Sequence, residues 1–339
     1  MEQYRTIFNG RLDFGNQRTY DKVFEMYEHR FENYYKMQVI FLAEDLFNEE
    51  ELCIQLPKRI VQSTKKKWMN TINLFNHIAD FAIAGAIDAW LLDGKILLEK
   101  HFIEPVGDKT VVKEYLKGRE LASTDQSEEA MKALNRVIEK FEKHAMAYER
   151  RGYVNFQLKN FDDALYDYNK SIQLYDRHPN PYYGRGLTLL AQGKLDEAIE
   201  NFTLVTKFAM PIEPLHWYAK KQKAKVYFKL KEYDNALKEV EAYVGRNFRK
   251  DSPHIKHQPQ MKYFKGQILM ELERFVDAIQ VFDELEKSWT DMPELEKIEL
   301  FANRGIAKKN AGKRGFKKDL QFAADKGSKI AKEVLDPSE

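Results

Sequence analysis

The sequence has one cysteine, Cys53, in 339 residues. A single cysteine excludes an internal disulfide and is typical of proteins from a reducing compartment. The formal net charge is only +2, so the chain as a whole has no general attraction for nucleic acid or an anionic membrane. The most apolar stretch, residues 78–98, has no uncharged piece longer than Phe81–Ile87, far below the ~20 residues that span a bilayer. We therefore expect a cytoplasmic protein without membrane insertion.

Signatures of catalysis and of metal binding are also scarce. The eight histidines are scattered, and His254 and His257 lie in a Pro-flanked loop without a nearby cysteine or paired carboxylates. No P-loop, zinc signature or Gly-rich dinucleotide turn occurs. Cys53 has no base close to it in sequence, and such a cysteine is more often a small core residue than a nucleophile. We expect no enzyme activity, no cofactor and no metal site.

Residues 1–110 differ in character from the rest, and the Pro and Gly of segment 104–110 mark the boundary. Helical periodicity predicts one amphipathic helix that begins near Thr19 and another from Trp68 through Trp90. Asn9-Gly10 lies between two short apolar segments, and it indicates either a type I′ hairpin turn or a frayed arm. These patterns predict a small, mainly helical domain, with the short β-hairpin at its extreme N-terminus as the open alternative. The domain resembles no family.

From residue 111 onward the chain repeats itself, with small residues at fixed positions of two successive helices. The small residues of the first helices are Gly118, Gly152, Gly186, Ala224, Gly266 and Gly305. Those of the second helices are Ala130, Ala164, Ala198, Ala236 and Ala278. The first three glycines are 34 residues apart, and each Gly or Ala of the first five units precedes its partner by 12 residues. That spacing places both where two antiparallel helices cross, and only small residues allow the backbones so close.

This pattern resembles the tetratricopeptide repeat (TPR) family over roughly two-thirds of the chain. The resemblance implies an all-α fold, a helix-turn-helix solenoid of about six units over residues 111–339. Its units begin near residues 111, 145, 179, 217, 259 and 298. Insertions at residues 210–214 and 245–259 displace the fourth and fifth units, and we expect them to lengthen turns or helix ends.

The resemblance also implies where a partner binds. In TPR proteins the inner wall is built mainly from the first helices, and peptides lie along it. The inward positions of that family, transferred to this sequence, predict a groove that is aromatic in its first half and basic in the fourth unit. The residues at these positions are Tyr115, Arg119, Tyr153, Phe156, Tyr183, Lys221, Lys225, Phe228, Tyr263 and Gln267. The alternative for the tyrosines is that they pack between neighbouring units.

These patterns predict a non-enzymatic scaffold or adaptor that binds a protein or peptide segment. Lys221 and Lys225 favour an acidic one. Two alternatives remain open. One is a peptide-responsive regulator whose N-terminal domain is the effector. The other is an RNA-associated TPR protein that uses the lysines and arginines between Lys220 and Lys265, where aromatic residues are interleaved.

Overall fold

The computed structural model describes residues 2–107, 109–124 and 126–336. Two compact units divide the chain between Gln192 and Gly193. The first unit holds a β-sheet domain followed by packed helices, and the second unit is built from helices.

Within residues 2–107 the sheet has five antiparallel strands in the order β2-β3-β1-β4-β5. The strands are β1 (Tyr4–Asp13), β2 (Phe47–Asn48), β3 (Cys53–Ser63), β4 (Ala84–Asp93) and β5 (Ile96–Ile103). Two helices, α1 (Gln17–His29) and α2 (Lys65–Ala79), contribute with the strands to one buried core. Asn16 caps α1, because its Oδ1 accepts a hydrogen bond of 2.9 Å from the backbone N–H of Thr19.

The prediction of a mainly helical N-terminal domain is therefore wrong. Asn9 and Gly10 form neither a hairpin turn nor a frayed arm but lie inside the continuous strand β1. The register of β1 against β3 shifts between Phe8 and Gly10. Gly10 has a φ of +152°, and a Cβ there would lie 2.2 Å from the carbonyl oxygen of Ala86. The Asn-Gly pair thus marks an irregularity where two strands approach closely, a role that glycine also fills in bulges.

The helix predicted from Trp68 through Trp90 ends at Ala79, and β4 follows from Ala84. Alanine is the strongest helix former, and alanines at helical spacing in this segment concealed the strand. Alternate residues of β4 enter the core, which is the period of a strand. These residues are Ile87, Ala89 and Leu91.

From Thr110 to Leu335 the described chain forms successive packed helices, which confirms the helical-repeat prediction. Those of the first unit are α3 (Thr110–Ser123), α4 (Ser127–Lys140), α5 (Ala145–Gln157), α6 (Phe161–Leu174) and α7 (Pro179–Ala191). Those of the second unit are α8 (Leu195–Phe208), α9 (Pro214–Lys229), α10 (Tyr233–Val244), α11 (Gln258–Glu271), α12 (Phe275–Ser288), α13 (Glu294–Asn310), α14 (Phe316–Asp325) and α15 (Lys329–Leu335). The two insertions fall largely between helices, before α9 and before α11.

The small residue of α11 shows why the repeat pattern needs glycine. A Cβ on Gly266 would lie 2.3 Å from the ring of Phe282 on α12, and Phe282 is fully buried. We expect Gly266→Ala to lower the free energy of unfolding by about 1–3 kcal/mol, because the ring has no free space to move into. Thermal denaturation measures the loss. Gln267→Ala on the same helix is the control, and a loss as large as that of Gly266→Ala would contradict the steric explanation.

Candidate functional site

The predicted groove residues Tyr115 and Arg119 contact the chain's own N-terminal domain. The buried ring of Tyr115 lies 4.7 Å from the imidazole of His144, and Ile83–Gly85 line the same small cavity. The Arg119 guanidinium donates two hydrogen bonds, of 2.6 and 3.1 Å, to the carboxylate of Glu104. Both side chains therefore hold the N-terminal domain against α3.

The other predicted positions of the first unit are half-buried. The hydroxyl of Tyr153 accepts a hydrogen bond of 3.1 Å from Gln157 Nε2. The ring of Phe156 lies 6.0 Å from that of Phe161, and Tyr183 lies on α7. Local packing thus occupies part of the Tyr153 and Phe156 rings.

A polar cavity of about 550 Å³ lies in the first unit between the sheet and helices α5 and α6. Its charged lining consists of Arg11, Lys143, Lys170, Glu51, Glu142 and Asp176. Three basic and three acidic side chains give this lining no net charge. The cavity therefore does not select a ligand by the sign of its charge.

Lys221 and Lys225 of the second unit lack an acidic partner among the described residues. Lys221 and Lys225 lie one turn apart on α9, Lys221 half-buried and Lys225 exposed. Neither forms an ion pair with any described residue. Burial lowers the pKa of Lys221, and the positive charge of Lys225 lowers it further. The two ammonium groups thus repel each other across a site that has no counter-charge.

His257, at the N-terminus of α11, lies near the same lysines. Burial lowers its pKa, and the charges of Lys221, Lys256 and Lys225 act in the same direction. His254 holds the loop that carries His257, because its Nε2 donates a hydrogen bond of 3.0 Å to the carbonyl oxygen of Pro214. His257 was considered in the sequence only for metal binding and not for the groove, although its position directly before a first helix was the available signal.

Three other lysines near Lys221 and Lys225 are already paired. Lys220 and Lys223 contact the buried carboxylate of Glu239 at 2.8 and 2.7 Å, and Lys265 contacts Glu241 at 2.9 Å. Burial would raise the pKa of Glu239, but hydrogen bonds from Lys220 and Lys223 outweigh burial and lower it. The basic surface on which the RNA hypothesis depended is therefore partly neutralised within α9–α11.

The other predicted groove residues of the second unit are Phe228, Tyr263 and Gln267, on helices α9 and α11. The half-buried ring of Phe228 on α9 lies 5.2 Å from that of Phe264 on α11, which joins these two helices. Tyr263 is only 8% exposed, and its hydroxyl accepts a hydrogen bond of 2.6 Å from Asn303 Nδ2. Tyr263 is thus a packing residue, whereas Gln267 is half-buried one turn further along α11. We define the α9–α11 face as Lys221, Lys225, Phe228, His257 and Gln267.

The one thiol and the candidate metal ligands of the described residues offer no reactive group of the kinds sought in the sequence. Burial raises the pKa of the Cys53 thiol to about 12, so the thiol is protonated at neutral pH and is a poor nucleophile. Across residues 2–107, 109–124 and 126–336, no three His, Cys, Asp or Glu side chains are grouped to hold a metal ion. Every helix in those ranges falls short of the length and apolar character needed to cross a bilayer.

Comparisons with known proteins agree with the repeat pattern. A family model described as "Tetratricopeptide repeat" matches residues 115–179, 183–252 and 222–293, about half of the chain. One similar structure is YrrB, described as a TPR protein with an unusual peptide-binding site. It has 18% identity and a TM-score of 0.51, and the match covers 60% of this chain and 97% of YrrB. Another is Pseudomonas aeruginosa pilF, with 16% identity, a TM-score of 0.50 and coverage of 67% and 96%. These likenesses show the fold alone, and no curated protein matches the sequence.

Proposed function

Because the chain belongs to the tetratricopeptide repeat family, we propose that it is a non-enzymatic interaction protein that binds an acidic peptide segment on the α9–α11 face. The observation that supports this most is the absence of a counter-charge for Lys221 and Lys225 among the described residues. A bound carboxylate would supply that counter-charge and relieve the repulsion between the two ammonium groups.

The side chains around the lysines suit an extended segment. Phe228 offers an apolar surface beside the charges, and aromatic rings contribute strongly to protein interfaces. The amide of Gln267 can donate to and accept from a peptide backbone. His257 adds a donor at the end of α11. Charge and apolar contact on one face therefore favour a peptide with both acidic and apolar residues.

We expect Lys221→Gln/Lys225→Gln to weaken binding of an acidic peptide by at least tenfold. A hydrogen bond to a charged group contributes about 1.5–3 kcal/mol, and 1.4 kcal/mol is tenfold in affinity. Fluorescence anisotropy with a labelled peptide of alternating Glu and Leu measures this, with the Gln/Leu peptide as its uncharged counterpart. Stability should not fall, because the substitution removes a repulsion.

The matched control is Lys238→Gln/Lys287→Gln, which removes two exposed charges from the second helices α10 and α12 of the same unit. It should leave the affinity within about twofold, since exposed charges away from an interface act weakly at physiological salt. Equal loss in both double variants, or equal affinity of the wild type for the two peptides, would contradict the proposed site.

The regulator hypothesis remains a second proposal, with residues 1–110 as the effector domain and 111–339 as the repeats. The contacts of Tyr115 and Arg119 bear on it, because they connect the N-terminal domain to the first repeat. A signal from a bound peptide would have to change these contacts. A cytoplasmic location also stays a proposal, supported by the unpaired thiol of Cys53.

A further inference from the structure

The turn between α13 and α14 concentrates positive charge. Six of the eleven residues from Lys308 to Lys318 are lysine or arginine and none is acidic, although the whole chain is nearly neutral. Five of these six side chains are exposed. We define the basic turn as these five residues, Lys309, Lys313, Arg314, Lys317 and Lys318.

The backbone of the basic turn is fixed by local hydrogen bonds. The backbone N–H of Gly312 donates a hydrogen bond of 3.1 Å to the carbonyl oxygen of Lys309. The N–H of Lys313 donates one of 2.8 Å to the carbonyl oxygen of Lys308. Gly312 and Gly315 have φ values of +66° and +85°, which glycine adopts without strain. No side chain caps the N-terminus of α14, and Asp319 in its first turn is already paired with Arg304 and Lys308.

The acidic side chains closest in the fold are already paired. Asp319 binds Arg304 and Lys308, at 2.8 and 2.7 Å. Asp283 and Glu286 both form ion pairs with Arg304. In the described part of the chain, none of the five cations of the basic turn has a carboxylate within ion-pair distance. Lys309 donates only to the backbone oxygen of Val334.

We propose that the basic turn binds the phosphodiester backbone of double-stranded nucleic acid. The uncharged residues of the turn do not suit the alternatives. Ala311 and Phe316 are half-buried, and Phe316 packs against the core of α14. The turn therefore has no exposed apolar side chain to insert into a membrane or to anchor a peptide. It also lacks an exposed ring for stacking on unpaired bases, which favours a duplex over a single strand.

The full-length chain is tested with fluorescein-labelled duplexes of about 20 base pairs, one of DNA and one of RNA. Five cations that contact five phosphates give a slope of log K against log salt near −4.5. Affinity for the DNA duplex should therefore fall about 500-fold between 50 and 200 mM salt. Comparison of the duplexes shows which backbone the turn prefers. Salt-independent binding, or none at 50 mM salt, would overturn the proposal.

Lys313→Gln/Arg314→Gln/Lys317→Gln should reduce the salt slope to about −1.8, because two cations remain. Lys66→Gln/Lys132→Gln/Lys238→Gln removes three other exposed charges and should leave the slope unchanged. If both triple variants reduced the salt slope equally, the duplex would be attracted by the general positive charge of the chain, and the proposal that the basic turn binds it would be wrong. Equally tight binding of anionic vesicles or of polyglutamate would contradict the proposal too. Lys221→Gln/Lys225→Gln should bind the duplex normally, which separates this surface from the proposed peptide site.

Discussion

Replacement of Arg304 with methionine is expected to lower the free energy of unfolding of the second unit by about 3–5 kcal/mol. Arg304 is 4% exposed, and its Nε and Nη2 donate to the two carboxylate oxygens of Asp319 at 2.8 and 2.9 Å. Its Nη1 contacts Asp283 and Glu286, and the guanidinium lies 4.7 Å from the ring centre of Phe301. A methionine fills much of the space but leaves Asp319 without its bidentate partner.

The state of Asp319 explains why the loss should be large. Burial would raise its pKa, but the hydrogen bonds from Arg304 and Lys308 outweigh burial and hold the pKa below its usual value. Without Arg304 the buried carboxylate keeps only Lys308. Removing one partner of a buried ion pair leaves a buried charge without compensation, which is strongly destabilising. Replacing both partners with apolar residues of similar volume often changes the stability little.

Urea unfolding measures the effect against Arg274→Met, which removes an exposed arginine from its ion pair with Asp277. That control should cost no more than about 1 kcal/mol, because exposed ion pairs contribute little. Arg304→Met/Asp319→Leu should recover part of the lost stability, since it removes the unpaired charge. Equal losses at Arg274 and Arg304 would show that burial of the network is unimportant.

The repeat region could be predicted because its spacing is enforced by contact. Gly266 and Ala278 are 12 residues apart, and the ring of Phe282 packs where a larger residue than Gly266 would collide. A larger side chain at such a crossing is excluded by volume, so the same residue types return in each unit. A rule of this kind is visible in one sequence without any structure.

The β-sheet domain was missed because its signals are ambiguous locally. The alanines of β4 fit a helical period, and the Asn-Gly pair of β1 fits a turn. What decides both is pairing with strands distant in sequence, such as Leu12 with Ile54 and with Gly85. Local patterns carry no information on such partners, so propensity favoured the wrong element.

The candidate sites were predictable only in part. Family geometry predicted Lys221, Lys225 and Phe228 as groove residues, and all three lie on helix α9; their role in binding stays a prediction. It did not reveal that Tyr115 lines a small cavity together with residues of the N-terminal domain, because the sequence of that domain resembles no family. The basic turn was overlooked, although its run of cations was visible in the sequence.

Acidification is expected to destabilise the first unit through His144. This histidine is 1% exposed, and its Nδ1 accepts a hydrogen bond of 3.1 Å from the N–H of Ala147 at the start of α5. Burial lowers its pKa to about 3. Between pH 6.5 and pH 3 the unfolded chain therefore binds a proton that the folded chain does not. The stabilisation is complete above pH 6.5 and falls by about 1.4 kcal/mol per pH unit below it.

His144→Asn isolates this contribution, because asparagine is a good N-cap acceptor and does not titrate. At pH 7.5 the variant should be less stable than the wild type, since the smaller side chain leaves part of the space beside Tyr115 unfilled. As the pH falls to 4, the wild type should lose about 3 kcal/mol more than the variant. Other titrating groups, including His178 with its pKa lowered to about 4 by burial and Arg150, act in both proteins and largely cancel in the difference. Thermal denaturation curves that shift in parallel with pH would mean that His144 is protonated in the folded chain, and its cap on α5 would then need another explanation.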